Sequence, residues 1–134
     1  MERKNFILFS TLILAIAVTI LHVLAGALYL YWTYWWFDWV THFLTGFTGA
    51  LGIYWGLFLS GLIFHREPGN KFFAGALVFF FVMLVGAGWE IFEYSNDITD
   101  SYESSYGLDV LVDLIMDASG AVLAVLVVWR KNNG

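Results

Sequence analysis

The chain has 134 residues, of which 60% are hydrophobic and only 13% charged, where a soluble domain carries about a quarter charged side chains. That composition predicts an integral membrane protein. With no cysteine, disulfides and thiolate metal sites are excluded, so any metal must be held by oxygen and imidazole. The net charge is −5, and the basic residues Arg3, Lys4, Arg66, Lys71, Arg130 and Lys131 fall in three separate groups that form no patch for nucleic acid.

The first apolar run, residues 6–28, is long enough to cross a hydrocarbon core of about 30 Å at 1.5 Å per residue. Arg3 and Lys4 precede it, and Ala25-Gly26-Ala27 could pass for a signal-peptide cleavage site. The apolar stretch exceeds the usual signal core of about 7 to 15 residues, which favours a retained span. Thr11, Ala15, Thr19, His22, Gly26 and Tyr29 share one helical face, expected to point into the bundle. Residues 29–39 then form an aromatic segment without Lys or Arg. Trp and Tyr gather at headgroup level, so this stretch reads as an interfacial connection; an aromatic ligand cage is the alternative.

A second span is expected over residues 39–64, ending at a turn that holds the single proline, Pro68. Gly46, Gly49, Gly52 and Gly56 form a stripe on the side of Asp38 and His42, and small residues let another helix approach closely. The third span covers residues 72–94 and the fourth residues 108–129, closed by Arg130 and Lys131. Between them lies an acidic loop, 95–107, with Asp97, Asp100 and Glu103. It lacks the spacing and central glycine of a calcium-binding EF-hand loop and reads as solvated.

All six basic residues sit at the two ends and in the 65–71 turn. The positive-inside bias therefore predicts a single all-α domain, a four-transmembrane-helix bundle in the cell membrane with both termini cytoplasmic. In that topology one polar level collects His22, Asp38 and His42, Glu90 and Glu93, and Asp109, Asp113 and Asp117. The last three descend roughly 12 Å from the outer end of their helix at 1.5 Å per residue. The spacings D-x-x-x-H, E-x-x-E and D-x-x-x-D-x-x-x-D each put their side chains on one helical face. A charged side chain at a helix centre in the bilayer costs roughly 2.5 to 3.5 kcal/mol on insertion scales and is functional by default.

Asp38, His42, Glu90, Glu93, Asp113 and Asp117 are therefore the candidate ligands of a divalent metal ion of unspecified identity, and His42, Glu90 and Glu93 the candidate catalytic groups. The bland alternative is a set of partly protonated acids bonded to each other, to His42, and to Thr41, Thr45 or tyrosines, serving packing specificity. His22 fits a bonded core histidine as well as a ligand, His65 a solvated turn, and Asp109 a helix cap.

The order Asp38-x-x-x-His42-Phe43, Trp89-Glu90-Ile91-Phe92-Glu93 and Asp109-x-x-x-Asp113-x-x-x-Asp117-x-x-Gly120-Ala121 resembles the YjdF-like small multi-pass membrane proteins. More distantly it is similar to the VanZ-like family, some members of which are associated with glycopeptide antibiotic resistance. The resemblance covers residues 38–124 and implies the site without naming a reaction. The VanZ-like pattern has an amide in place of one acid and an outer-loop Arg; here Glu93 is acidic and the loop has no Arg.

The leading expectation is a metal or acid-base site near the outer leaflet that binds or modifies a lipid or lipid-linked envelope molecule. Metal-assisted activation of water or phosphate would use His42 or Glu90 as proton acceptor. The alternatives are an ion- or proton-coupled transporter, which needs a polar route inward past Ser10, Thr11 and Ser60, and a non-catalytic accessory subunit. Expected partners are membrane lipids, a lipid-like substrate and a second copy of the chain in a homo-oligomer.

Overall fold

The computed structural model describes residues 2–96, 98 and 105–130; Asp97, Asp100 and Glu103 of the acidic loop lie outside them. The described chain is all helical, in the order α1 (Arg3–Ala27), a short α2 (Leu30–Thr33), α3 (Phe37–Tyr54), α4 (Lys71–Ser95) and α5 (Tyr106–Arg130). Helices α1, α4 and α5 are each long and apolar enough to cross a membrane. Most of α1 faces away from the protein; only Ile7 and Ala25 are buried in it. Its Thr11 and Thr19 hydroxyls donate to the carbonyls of Ile7 and Ala15 in the same helix. The expected inward face of α1 is thus a contact strip along α3, not a buried interior.

Helix α3 is the centre of the molecule. It packs on α5, α1 and α4, whereas α1 makes no close backbone approach to α4 or α5 among the described residues. Close packing of α3 on α5 rests on two glycines. A methyl group at Gly46 would lie 2.2 Å from the Asp117 carbonyl oxygen, and one at Gly120 would lie 2.1 Å from that of Phe43, so only glycine permits this crossing. The rest of the expected glycine stripe does other work: Gly52 faces the Thr11 methyl, while Gly49 and Gly56 border open space. The core below is built of small and branched side chains, Ala50, Leu51, Val78, Ala121, Ala124 and Val125.

The second span differs from its expected extent of 39–64. The α-helical ladder of α3 stops at Tyr54 and widens into a π-helical turn, Trp55–Leu59, closed by the Ser60 amide on the Trp55 carbonyl at 2.8 Å. Two glycines flank the break, and Gly61 has φ +76°, a left-handed conformation that ends a right-handed helix. The chain then runs irregularly to Asn70, whose side chain accepts from the Phe73 amide and caps α4.

The basic segments gather at one end of the molecule. Arg3 pairs with Glu67 of the connector and sits over the Tyr54 ring, whose hydroxyl also donates to Glu67 at 2.7 Å. Phe72 at the start of α4 meets Trp129 at the end of α5 edge to face. The opposite end carries the aromatic segment, with Tyr29, Trp32 and Trp35 exposed. Tyr29 turns the chain between α1 and α2 with φ 58°, a conformation uncommon for a bulky side chain.

Candidate functional site

At the aromatic end, α3 and α5 bring three acids around one imidazole. Asp113 and Asp117 are one turn apart on the buried face of α5, and His42 meets them from the buried face of α3. His42 Nδ1 is hydrogen-bonded to Asp117 Oδ2 at 3.3 Å. Its Nε2 faces Asp38 Oδ1 at 3.8 Å and Asp113 Oδ2 at 4.0 Å. Asp38 is held in turn by the Thr41 hydroxyl, which donates to its carbonyl at 2.8 Å and lies 3.3 Å from its Oδ1. Room for Asp117 comes from Gly86 of α4, where a methyl group would stand 2.6 Å from Asp117 Oδ2.

Burial makes this cluster costly unless it is compensated. Relative exposures are 8% for His42, 7% for Glu90, 3% for Asp113 and 4% for Asp117. Among the described residues no hydrogen-bond partner reaches Asp113 Oδ1 or Glu90 Oε1, and an unsatisfied buried carboxylate oxygen demands a proton or a cation. One ligand atom each from Asp38, His42 and Asp113 can be chosen so that all lie within 4.8 Å of one another. These three residues could hold a metal ion, with oxygen and imidazole donors suited to a divalent cation.

The other expected site residues take different positions. Glu90 and Glu93 stay outside the three-residue group; Glu90 is buried, and Glu93 lines the adjoining cleft. Asp117 stands on the far side of the imidazole from Asp38 and Asp113. His22 is away from the cluster, on the wall of the cleft, where its Nδ1 is hydrogen-bonded to the Tyr31 hydroxyl at 2.6 Å. Asp109 is exposed in the first turn of α5, a favourable place for an acid at a helix N-terminus, and His65 is exposed in the connector. Spacing alone could not separate these, because it assigns a face and not the neighbour that the face meets.

Beside the cluster runs a cleft of about 480 Å³. Its floor is α3 from Asp38 to Ile53, and its walls are α1 (Val18, Thr19, His22) and α4 (Val82, Val85, Trp89). The His22 and Trp89 rings meet edge to face across it, 6.1 Å between centroids. The polar end holds Asp38, Thr41, His42, Glu93 and Asp117, and the remainder is largely apolar. Sequence reasoning missed this cleft. Its one visible trace was Gly49, a small residue one and a half to two turns past His42 with nothing opposite.

Long apolar helices enclosing a buried His/Asp cluster define a helical membrane protein with an ionisable site inside it. The chain belongs to the family described as "Predicted membrane protein (DUF2238)", whose model matches residues 2–134. No curated protein and no solved structure matches it. The likeness to YjdF-like proteins agrees with a membrane protein family of this kind, whereas a VanZ-like kinship rests on the short motifs alone.

Proposed function

We propose that Asp38, His42 and Asp113 bind a divalent cation at the outer leaflet, and that the site binds or chemically modifies a lipid or lipid-linked molecule lying in the adjoining cleft. The observation that carries this reading is the convergence of three ligand atoms within 4.8 Å beside unpartnered buried carboxylate oxygens. A cation held by these residues would offset the desolvation of clustered acids and would supply Lewis-acid activation of water or of a phosphate. Glu90, buried nearby, is the group positioned to take the proton. Asp117 orients the imidazole through its second nitrogen, as carboxylates do behind metal-bound histidines.

In this reading α3 with its π turn forms a fourth crossing, and the clustering of the basic segments at one end supports a topology with both termini cytoplasmic. Transport fits less well. Away from the cluster, Thr11 and Ser60 spend their hydroxyls on carbonyls of their own turns, so neither hydroxyl is free to relay an ion. Elemental analysis of the purified protein, compared with a His42→Ala/Asp113→Asn double variant, tests the metal. A stoichiometric ion in the wild type that disappears in the variant is expected; equal content in both, or none in either, overturns the reading.

A further inference from the structure

The cleft has more shape than a metal site requires. From Asp38 to Ile53 it follows sixteen residues of α3, roughly 22 Å at 1.5 Å per residue, and its volume of about 480 Å³ lies within the roughly 300 to 1,000 Å³ of small-molecule sites. It is long, apolar along most of its course, and bounded by α1 and α4, whose backbones make no close approach to each other among the described residues and whose His22 and Trp89 rings meet across it. An opening between two apolar helices faces hydrocarbon, so a chain can enter it sideways from the bilayer. Gly49 keeps the middle of the floor open: a side chain built there meets nothing within 4 Å.

The charge at the polar end selects the headgroup. Asp38, Glu93 and Asp117 line it together with His42, and neither Lys nor Arg does. Asp113 and Glu90, buried close by, add two further acids and no base. An anionic headgroup would meet like charge there, while a cationic one finds carboxylates at hydrogen-bonding range. We propose that the cleft seats one hydrocarbon chain of a lipid whose headgroup ends in an amine. The ammonium lies among Asp38, Glu93 and the His42–Asp117 pair, and the chain runs along α3 toward Ile53. His22 and Trp89 strap the chain below its head. This inference rests on the lipid half of the proposed function and does not need the metal.

The test uses the full chain in phosphatidylcholine vesicles doped with either of two photoreactive lipids. Both carry the same diazirine-bearing acyl chain, one under an ethanolamine and the other under a glycerol headgroup. The ethanolamine probe is expected to cross-link at Val18, Ile53 and Val82, in preference to the glycerol probe. Gly49→Phe should lower that yield roughly tenfold, the scale of losing burial for two methylene groups. Val85→Trp, a second plug at an exposed position on the α4 wall, should do the same if Gly49→Phe folds poorly, and Glu93→Gln should erase the headgroup preference. Cross-links spread over outward residues such as Ile13 and Leu126 and unmoved by either plug would overturn the cleft assignment. Equal yields from the two probes would overturn the amine. Metal content measured on the same samples keeps the two proposals apart: cleft labelling without metal leaves this one standing, and metal without cleft labelling removes it.

Discussion

His42 is gripped from both sides: Nδ1 is bonded to Asp117 Oδ2 at 3.3 Å, and Nε2 points toward Asp38 and Asp113 at 3.8 and 4.0 Å. An Nδ1–H donated to a carboxylate fixes the tautomer and leaves the Nε2 lone pair free for a cation, the arrangement found behind metal-bound imidazoles. In the proposed site Asp113 and Asp117, one turn apart on the same helix, have different tasks. Asp117→Asn should weaken divalent-ion affinity by about 10- to 100-fold while retaining a measurable site. Asp113→Asn should reduce it further, because it removes a ligand. Titration of both variants with Mn²⁺ checks the order, and a larger loss from Asp117→Asn would reverse the assignment.

The same geometry sets a stability prediction. Removing one partner from a buried charged network costs about 3 to 5 kcal/mol, because the remaining charge is left uncompensated. His42→Ala should destabilise the protein on that scale in detergent unfolding, and adding Asp117→Asn should recover part of the loss by removing one orphaned acid. A double variant less stable than the single one would show that the acids are not compensated through His42.

Close contact of α3 and α5 makes a sharper test. At Gly46 and Gly120 an added methyl meets backbone atoms at 2.2 and 2.1 Å, which no rotamer change relieves. Gly46→Ala and Gly120→Ala should each cost about 1 to 3 kcal/mol or more and disturb the His42–Asp117 pair that the crossing holds together. Gly49→Ala, three residues along α3 from Gly46, should change the melting temperature little, since nothing lies within 4 Å of its new methyl. Equal losses at all three positions would deny that close helix contact is the cause.

These glycines also mark how far the sequence could be read. Hydropathy and length found the long helices, and polar residues in apolar runs found the cluster, because both signals are local and the bilayer penalises exceptions strongly. Gly46 and Gly49 look alike in a stripe; only the position of α5 makes one a contact and the other a void. His22 shares a plausible depth with His42, yet it lies on α1, which touches α3 along a single strip, so its ring reaches Tyr31 and Trp89 and not the acids. The early end of α3 was hidden because Trp55 to Phe64 stays mostly apolar while its backbone departs from the helix.

The last prediction concerns orientation, on which the outer-leaflet placement of the site depends. Arg3, Lys4, Arg66, Lys71 and Arg130 lie on segments brought to one end of the molecule by the Arg3–Glu67 and Phe72–Trp129 contacts. In short loops such clustering biases that end toward the cytoplasm. The native chain has no cysteine, so single replacements report without background. A membrane-impermeant maleimide added to intact cells should label Ser105→Cys, at the start of α5, and spare Gly69→Cys, exposed in the connector beside Glu67. Permeabilising the cells should then expose position 69. Reversed labelling would place His42 and its acids toward the cytoplasm, and the lipid reached by the cleft would then belong to the inner leaflet. Labelling of both positions in intact cells would mean a mixed orientation, which a single outward-facing site does not allow.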